Sequence, residues 1–182
     1  MVYRKQYISP LGPITLACDD KAIIGLWFDG QRHFGNVMPD DAASREHPLL
    51  VEAARWLDIY FEGREPGFLP PLRYALTPFR QRVYDIMLTI PYGQTVSYGE
   101  IADRISRMQG AARMSARAVG GAAGHNPISI MIPCHRVVGA GGNLGGYEGG
   151  IERKIRLLEL EKVDMARFFS IKHRKISIKM VQ

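Results

Sequence analysis

The chain has 182 residues, 46% of them hydrophobic and 23% charged, a length and composition that support one or two folded domains around a buried core. No apolar run approaches the ~20 residues that cross a bilayer, the first residues lack the long apolar stretch of a secretory signal, and two cysteines, Cys18 and Cys134, exclude a disulfide framework. The net charge of +6 is uneven: residues 1–75 hold 8 Lys+Arg against 10 Asp+Glu, and residues 76–182 hold 16 against 8.

A cytoplasmic location, no membrane association and no metal site are therefore expected, since neither cysteine has the short-spaced Cys or His partners of a zinc site. The basic second half is suited to a polyanion; its arginines could equally form an ordinary solvated face.

In chain order, Val2 to Ile8 predicts a strand, and Ile14 to Cys18 with Ala22 to Phe28 predict a β-hairpin around Asp19-Asp20-Lys21. Gly30 to Pro48 reads as loop. Leu49 to Phe61 predicts an amphipathic helix with Leu50, Ala53, Ala54, Leu57 and Phe61 on one stripe, stopped by Gly63. The Pro- and Gly-bearing stretch from Glu65 to Pro71 is the best linker. Residues 1–75 thus predict a small α+β domain with no catalytic constellation of its own.

Thr77-Pro78 opens a second domain as N-cap and first helical residue, with Phe79, Val83, Ile86, Met87 and Ile90 as the buried face. Pro91-Tyr92-Gly93 ends that helix. Ser97-Tyr98-Gly99-Glu100 is a capping-box pattern for a helix continued by Ile101, Ala102 and Ile105. After Gln109-Gly110, Ser115 to Ala123 predicts another short helix, and the pair is expected to form a helix-turn-helix. Gly120 and Gly121 cost that helix about 2 kcal/mol of propensity together. They serve either close approach to a bulky partner or tight packing against the protein's own core.

Ile128 to Ile132 predicts a short strand running into Pro133-Cys134-His135-Arg136-Val137. A cysteine beside histidine and arginine has a route to a lowered pKa, and only the thiolate is a good nucleophile. Adjacent side chains on an extended chain point apart, so adjacency alone is not contact. Taken singly, Cys134 reads as an inert buried cysteine and His135 as a satisfied core histidine. Gly139 to Gly142 lacks the Lys-Ser/Thr of a phosphate loop and reads as flexible loop.

The longer string changes that balance. Arg117-Ala-Val-Gly-Gly-Ala, Asn126-Pro127, Ile-Pro-Cys134-His-Arg-Val-Val and Gly146-Tyr-Glu-Gly-Gly, followed by a helix ending at Glu161, resemble the O6-alkylguanine-DNA alkyltransferases (methylated-DNA–protein-cysteine methyltransferases). The resemblance covers Thr77 to Glu161. It implies stoichiometric, irreversible transfer of an alkyl group from O6-alkylguanine in duplex DNA to Cys134, without cofactor. His135 would act as base through a water, oriented by Glu161. Asn126 would brace the turn before the active-site strand, and Tyr98 would give a proton to the leaving guanine. Arg117 would fill the gap left by the flipped base, while Gly120, Gly121 and Ala122, beside Ser97, would let the helix sit in the minor groove. Val137, Tyr147, Glu148 and Gly149 would line the base pocket. The implied architecture is α+β: a small N-terminal sheet-plus-helix domain (1–75), a mainly helical DNA-binding and alkyl-acceptor domain (76–165) and a basic tail (166–182), acting as a monomer.

Three features depart from the family pattern. Glu148 stands where a small residue is usual, which bears on the size of alkyl group admitted. Arg104 to Met114, with Arg104, Arg107 and Arg113, is longer than usual and extends either the phosphate contacts or a surface loop. Residues 166–182 alternate apolar and basic residues, which suits a half-exposed strand, a disordered arm or a DNA-backbone contact. Repair of O4-alkylthymine is left open. The rival readings are a lesion-recognition module that does not react, which the presence of Cys134 opposes; a helix-turn-helix regulator with an incidental cysteine; and a thiol hydrolase that turns over.

Overall fold

In the computed structural model, which describes residues 1–74, 77–110 and 114–169, three strands form an antiparallel meander: β1 (Tyr3–Ser9), β2 (Gly12–Cys18) and β3 (Ile23–Phe28), in that order. Helix α1 (Pro48–Phe61) covers one face of the sheet. His47 caps it through Nδ1, and Pro48 fills the first position, where no amide is needed. The buried residues of α1 are Leu50, Ala53, Trp56, Leu57 and Tyr60. The expected stripe included Ala54 and ended on Phe61, but those two are only half-buried. The helix instead turns Tyr60 inward, because a buried carboxylate there takes its hydroxyl.

Helix α2 (Pro78–Leu88) starts at the Thr77 cap, whose hydroxyl accepts from the Arg80 amide. The two-residue strand β4 (Val96–Ser97) leads into α3 (Tyr98–Gln109), whose N-terminus carries the full capping box between Ser97 and Glu100. Gly110 ends α3 in the left-handed conformation (φ 57°). Helix α4 (Ala116–Ala123) follows, capped by Ser115, and packs on α3 and α2 as the second half of the helix-turn-helix. Strand β5 (Val137–Val138) pairs in parallel with β4, and α5 (Ile151–Leu160) packs against the turn that precedes β5.

One expectation fails between α4 and β5. Ile128–Ile132 is not a strand: apart from one bridge at Ile128 it is a turn, with Ile130 at φ 69°. The Asn126 side chain takes over the hydrogen bonds a neighbouring strand would supply, accepting from the Ile128 amide at 3.0 Å and donating to the Ile132 carbonyl at 2.8 Å. The edge strand β3 holds the same turn: the Leu26 amide bonds the Pro127 carbonyl, and the Ser129 amide bonds the Leu26 carbonyl, both at 2.9 Å.

One apolar core runs through both halves of the chain, joining Ile14, Leu16, Leu57 and Tyr60 to Val83, Ile101, Ile128, Val137 and Leu157. A smaller cluster of Val138, Leu144, Leu158 and Val163 lies under α5. The glycine loop expected to be flexible is a tight turn at Ala140–Gly142, where Gly142 sits at φ 86° with the Arg167 carbonyl against its α-carbon. The first residues of the basic tail fold back on it: Phe169 pairs with Asn143, and its carbonyl accepts from the Leu144 amide at 3.0 Å. Residues 170–182 and Arg113 lie outside the described residues, while Arg104 and Arg107 are exposed on α3. Among the described residues no helix is long and apolar enough to cross a membrane.

Candidate functional site

A cavity of about 740 Å3 opens between the start of α3, the outer face of α4 and the loop before α5. Ser97, Tyr98 and Gly99 form one wall; Arg117, Gly120 and Gly124 form another; Tyr147 lines a third, its hydroxyl buried, and Glu148 stands at the lip. Cys134 lies at the floor, and Arg32 reaches in from the loop after β3. The periodicity of α4 explains its wall. Val119, Ala122 and Ala123 are buried, so Arg117, Gly120, Gly121 and Gly124 fall on the outward side.

Three of the expected contact residues sit elsewhere. Ala122 is turned into the core, where its carbonyl accepts from the Tyr84 hydroxyl at 3.0 Å. Val137 is fully buried behind the cavity, because its place in β5 turns its side chain into the main core. Gly149 does not line the cavity either; a β-carbon there would stand 2.7 Å from the Tyr147 ring and 3.0 Å from Phe28. Its smallness therefore serves to seat Tyr147.

Cys134 begins a short 3-10 turn, Cys134–Arg136, so that its side chain and that of His135 leave the chain in different directions. The Asn126 amide that braces the preceding turn also donates to Cys134 Sγ at 3.1 Å. The expected lowering of the thiol pKa is not found. Burial dominates and pushes it up, with the Asn126 hydrogen bond and the Lys154 charge working the other way. His135 commits its Nε2 to Glu161 instead, and adjacency in sequence does not acidify the thiol.

Behind Cys134 lies a buried polar cluster. His135 Nε2 is 2.7 Å from Glu161 Oε1; with a carboxylate as its partner, Nε2 carries the proton and Nδ1 keeps its lone pair. Nδ1 is buried and makes no hydrogen bond to protein. Glu161, the residue that caps α5, receives four more donations: the Tyr60 hydroxyl at 2.7 Å on Oε1, Arg136 Nε at 2.8 Å on Oε2, Arg136 Nη2 at 3.1 Å on Oε1, and the Gly93 amide at 3.1 Å on Oε2. Gly93 has φ 74°, and a β-carbon there would come within 2.9 Å of the Glu161 carbonyl, so the Pro-Tyr-Gly turn requires glycine to reach the carboxylate. Burial alone would raise the Glu161 pKa, but its histidine and arginine neighbours outweigh it and hold the carboxyl down at about 2. Burial holds His135 below its ordinary value against the pull of Glu161, so the imidazole is neutral at pH 7.

Lys154 of α5 is also fully buried. Its ammonium donates to the carbonyls of Val137 (2.6 Å), Leu144 (2.5 Å) and Gly146 (3.3 Å), and burial brings its pKa down to about 8. It clamps the loop that leads to Tyr147 and sets a positive charge facing the sulfur. Burial, and then the charge of Cys134, push the Tyr98 phenol up to about 12, so it holds its proton and can donate it. At the lip, Glu148 Oε2 lies 3.3 Å from His33 Nδ1, and His33 stacks on His125 at 4.4 Å. Cys18, by contrast, is buried in β2 away from the cavity, its thiol pushed up to about 11 by burial and then by Asp19 and Asp20.

Of the residues singled out in the sequence, the fold brings Cys134, Tyr98, Ser97, Arg117, Gly120, Tyr147 and Glu148 to the cavity, and Asn126, His135 and Glu161 to the buried layer behind Cys134. Sequence reasoning missed Tyr60, Gly93 and Lys154, and it read Arg136 as a charge beside the thiol where the fold sets it on Glu161. A buried lysine and a helical tyrosine carry no local signal; the Pro-Tyr-Gly turn was visible, but only as a helix stop.

Comparison with known proteins gives a consistent picture. Residues 2–74 match the family model of the 6-O-methylguanine DNA methyltransferase ribonuclease-like domain, and residues 78–163 match that of the 6-O-methylguanine DNA methyltransferase DNA-binding domain. The methylated-DNA–protein-cysteine methyltransferase of Mycobacterium tuberculosis is 46% identical over 165 residues, which cover 89% of this chain and 93% of that protein. The inducible enzyme of that name from Bacillus subtilis is 40% identical over 83% of this chain and 79% of its own. The crystal structure of M. tuberculosis O6-methylguanine methyltransferase superposes with a TM-score of 0.76 at 44% identity, covering 92% of this chain and 94% of that one. A crystal structure of the M. tuberculosis protein in complex with DNA superposes with the same score at 43% identity, covering 91% and 94%.

Proposed function

This chain belongs to the 6-O-methylguanine DNA methyltransferase family, binds DNA and repairs it by alkyl transfer to a cysteine; on that premise we propose that Cys134 is the acceptor and O6-alkylguanine in duplex DNA the donor. One observation carries the assignment. Of the two cysteines only Cys134 lies on the cavity wall, with an amide donor on its sulfur and a buried histidine–carboxylate pair behind it.

The thiol starts protonated, so it must lose its proton when substrate is in place. His135 Nδ1 takes that proton through a water, and ionised Glu161 stabilises the imidazolium that forms. The Asn126 amide and the Lys154 charge stabilise the developing thiolate. Sγ attacks the alkyl carbon, the bond from carbon to O6 breaks, and its electron pair stays on guanine. Tyr98 donates a proton to the leaving base and is reprotonated from solvent as His135 gives its proton up. The sum is thiol plus alkylguanine to thioether plus guanine, with no cofactor or metal consumed. No second nucleophile cleaves the thioether, so each molecule acts once.

A base in the stack is out of reach of a floor cysteine, so the nucleotide must flip into the cavity, at a cost of a few kcal/mol. Arg117, exposed at the start of α4, fills the gap it leaves, and the side-chain-free face at Gly120 and Gly121 permits close approach to the minor groove. Residues 76–165 then bind DNA and accept the alkyl group, residues 1–75 support the site from behind, and the protein acts as a monomer. The cytoplasm, where reductants keep Cys134 a thiol, suits this chemistry.

The test is the intact mass of the protein after incubation with duplex DNA carrying one O6-methylguanine. The expected result is a gain of about one methylene mass at Cys134, capped at one per molecule. Binding of the lesion without mass gain would point instead to a recognition module.

A further inference from the structure

We propose that Tyr60 is a positioning residue of the alkyl-transfer site: its hydroxyl sets the share of the Glu161 charge that reaches His135, and so how readily the imidazole takes the Cys134 proton. The inference rests on the reading of Cys134, His135 and Glu161 given above, and it makes the sheet-and-helix half of the chain part of the chemistry.

The geometry is a contest for one oxygen. The Tyr60 hydroxyl and His135 Nε2 each lie 2.7 Å from Glu161 Oε1, and they lie 3.3 Å from one another, as two donors converging on a common acceptor. Oε2 is occupied by Arg136 Nε and the Gly93 amide, so the hydroxyl has no other oxygen to move to. A carboxylate offers about four lone-pair directions, and this one serves five donations. Each further donor withdraws charge from the others. Tyr60 is held in place by stacking on Trp56 (5.3 Å, 8°) and by edge contacts with Tyr92 and Phe61. Burial and the Glu161 charge keep its phenol far above its ordinary pKa, so it donates as a neutral group at every working pH.

The other groups facing His135 and Glu161 differ in kind. Arg136 carries charge and binds both carboxylate oxygens. Lys154 spends its donors on three carbonyls. Tyr147 lies edge-on to the imidazole at 6.5 Å, and Tyr92 sits under the Arg136 guanidinium. Cys134 is the proton's source. Tyr60 is thus the neutral side-chain donor whose hydroxyl can be removed from Oε1 without changing the charge of the site.

The experiment compares the full-length protein with Tyr60→Phe and with a version carrying 3-fluorotyrosine at position 60, whose hydroxyl is a stronger donor. Two readouts are taken: the NMR titration of the His135 imidazole in the free protein, and the single-turnover transfer rate against pH. Tyr60→Phe returns charge to His135, so the imidazole titrates higher by about half a unit or more, and the acidic limb of the rate profile moves up with it. Fluorotyrosine moves both the opposite way. A His135 titration that is the same in all three proteins, with rate profiles parallel to the parent's, would overturn the proposal and leave Tyr60 as packing. If the parent transfers no alkyl group, the function assignment fails, while the titration still reads Tyr60.

Discussion

The two sides of the cavity are built on opposite principles. Around Glu161 every oxygen is used, by donors drawn from α1, the turn at Gly93, the turn at Cys134 and the side chain of Arg136. Along the outer face of α4 side chains are withheld, and a β-carbon added at Gly121 would meet nothing within 4 Å. Chemistry needs groups that cannot move, whereas contact with a duplex needs space that nothing else occupies. Substitutions therefore act in contrasting ways: on the first side small changes cost both fold and rate, and on the second they separate binding from stability.

The sharpest break is Cys134→Ser, which keeps shape and removes the acceptor. The mass gain with O6-methylguanine DNA is expected to vanish while lesion binding in a gel-shift assay survives. Next is Glu161→Gln. It leaves Arg136 facing a neutral amide and His135 without its anion, so the transfer rate drops about 10²–10⁴-fold and unfolding free energy falls by about 3–5 kcal/mol; stopped-flow alkylation and denaturant titration measure the two.

Acid exposes the same dependence. Glu161 is depressed from an ordinary 4.5 to about 2, so its contribution is complete above about 4.5 and is lost as pH falls toward 2, on the order of 3 kcal/mol in all. His135, also depressed, contributes in full above about 6.5 and loses that contribution as pH falls toward its folded value. Both slopes have one sign. Denaturant midpoints should decline steadily below about pH 6.5, and a flat profile from there to pH 4 would contradict the buried neutral imidazole.

On the open side, Arg117→Ala should leave the melting curve within about 0.5 kcal/mol of the parent and yet slow repair of duplex DNA about tenfold or more, since a flipped base costs a few kcal/mol. The smallest effect has the most telling sign. Gly121→Ala should raise helix stability by up to about 1 kcal/mol and weaken DNA binding, two changes that calorimetry and fluorescence anisotropy would show in opposite directions.

Local physics was legible in the sequence wherever a rule acts within one turn of chain. The Ser97–Glu100 capping box, the Thr77-Pro78 start and the hairpin strands all form as their residues dictate. The apolar run at Ile128–Ile132 misled because period and composition do not reveal that a side chain, Asn126, would satisfy its backbone. Tyr60 was lost by one position on a helical stripe, since Phe61 is the more apolar residue and only a partner 101 residues away in Glu161 explains why tyrosine is buried instead. The Cys-His-acid string was readable as a resemblance, but the direction in which burial drives the thiol was not, because desolvation belongs to the fold and not to the neighbours in the chain.

The single core shared by the two halves has a further consequence. Gly67 is exposed, with open space around it, on the stretch that joins α1 to the helical half. A cut there would sever the covalent link while leaving β3 bonded to the turn at Pro127–Ser129 and Tyr60 bonded to Glu161. Each fragment would carry an incomplete apolar surface whose complement is the other fragment, so the natural fate of the nicked molecule is reassembly, and the two pieces made separately should behave as a split protein whose activity reports their encounter.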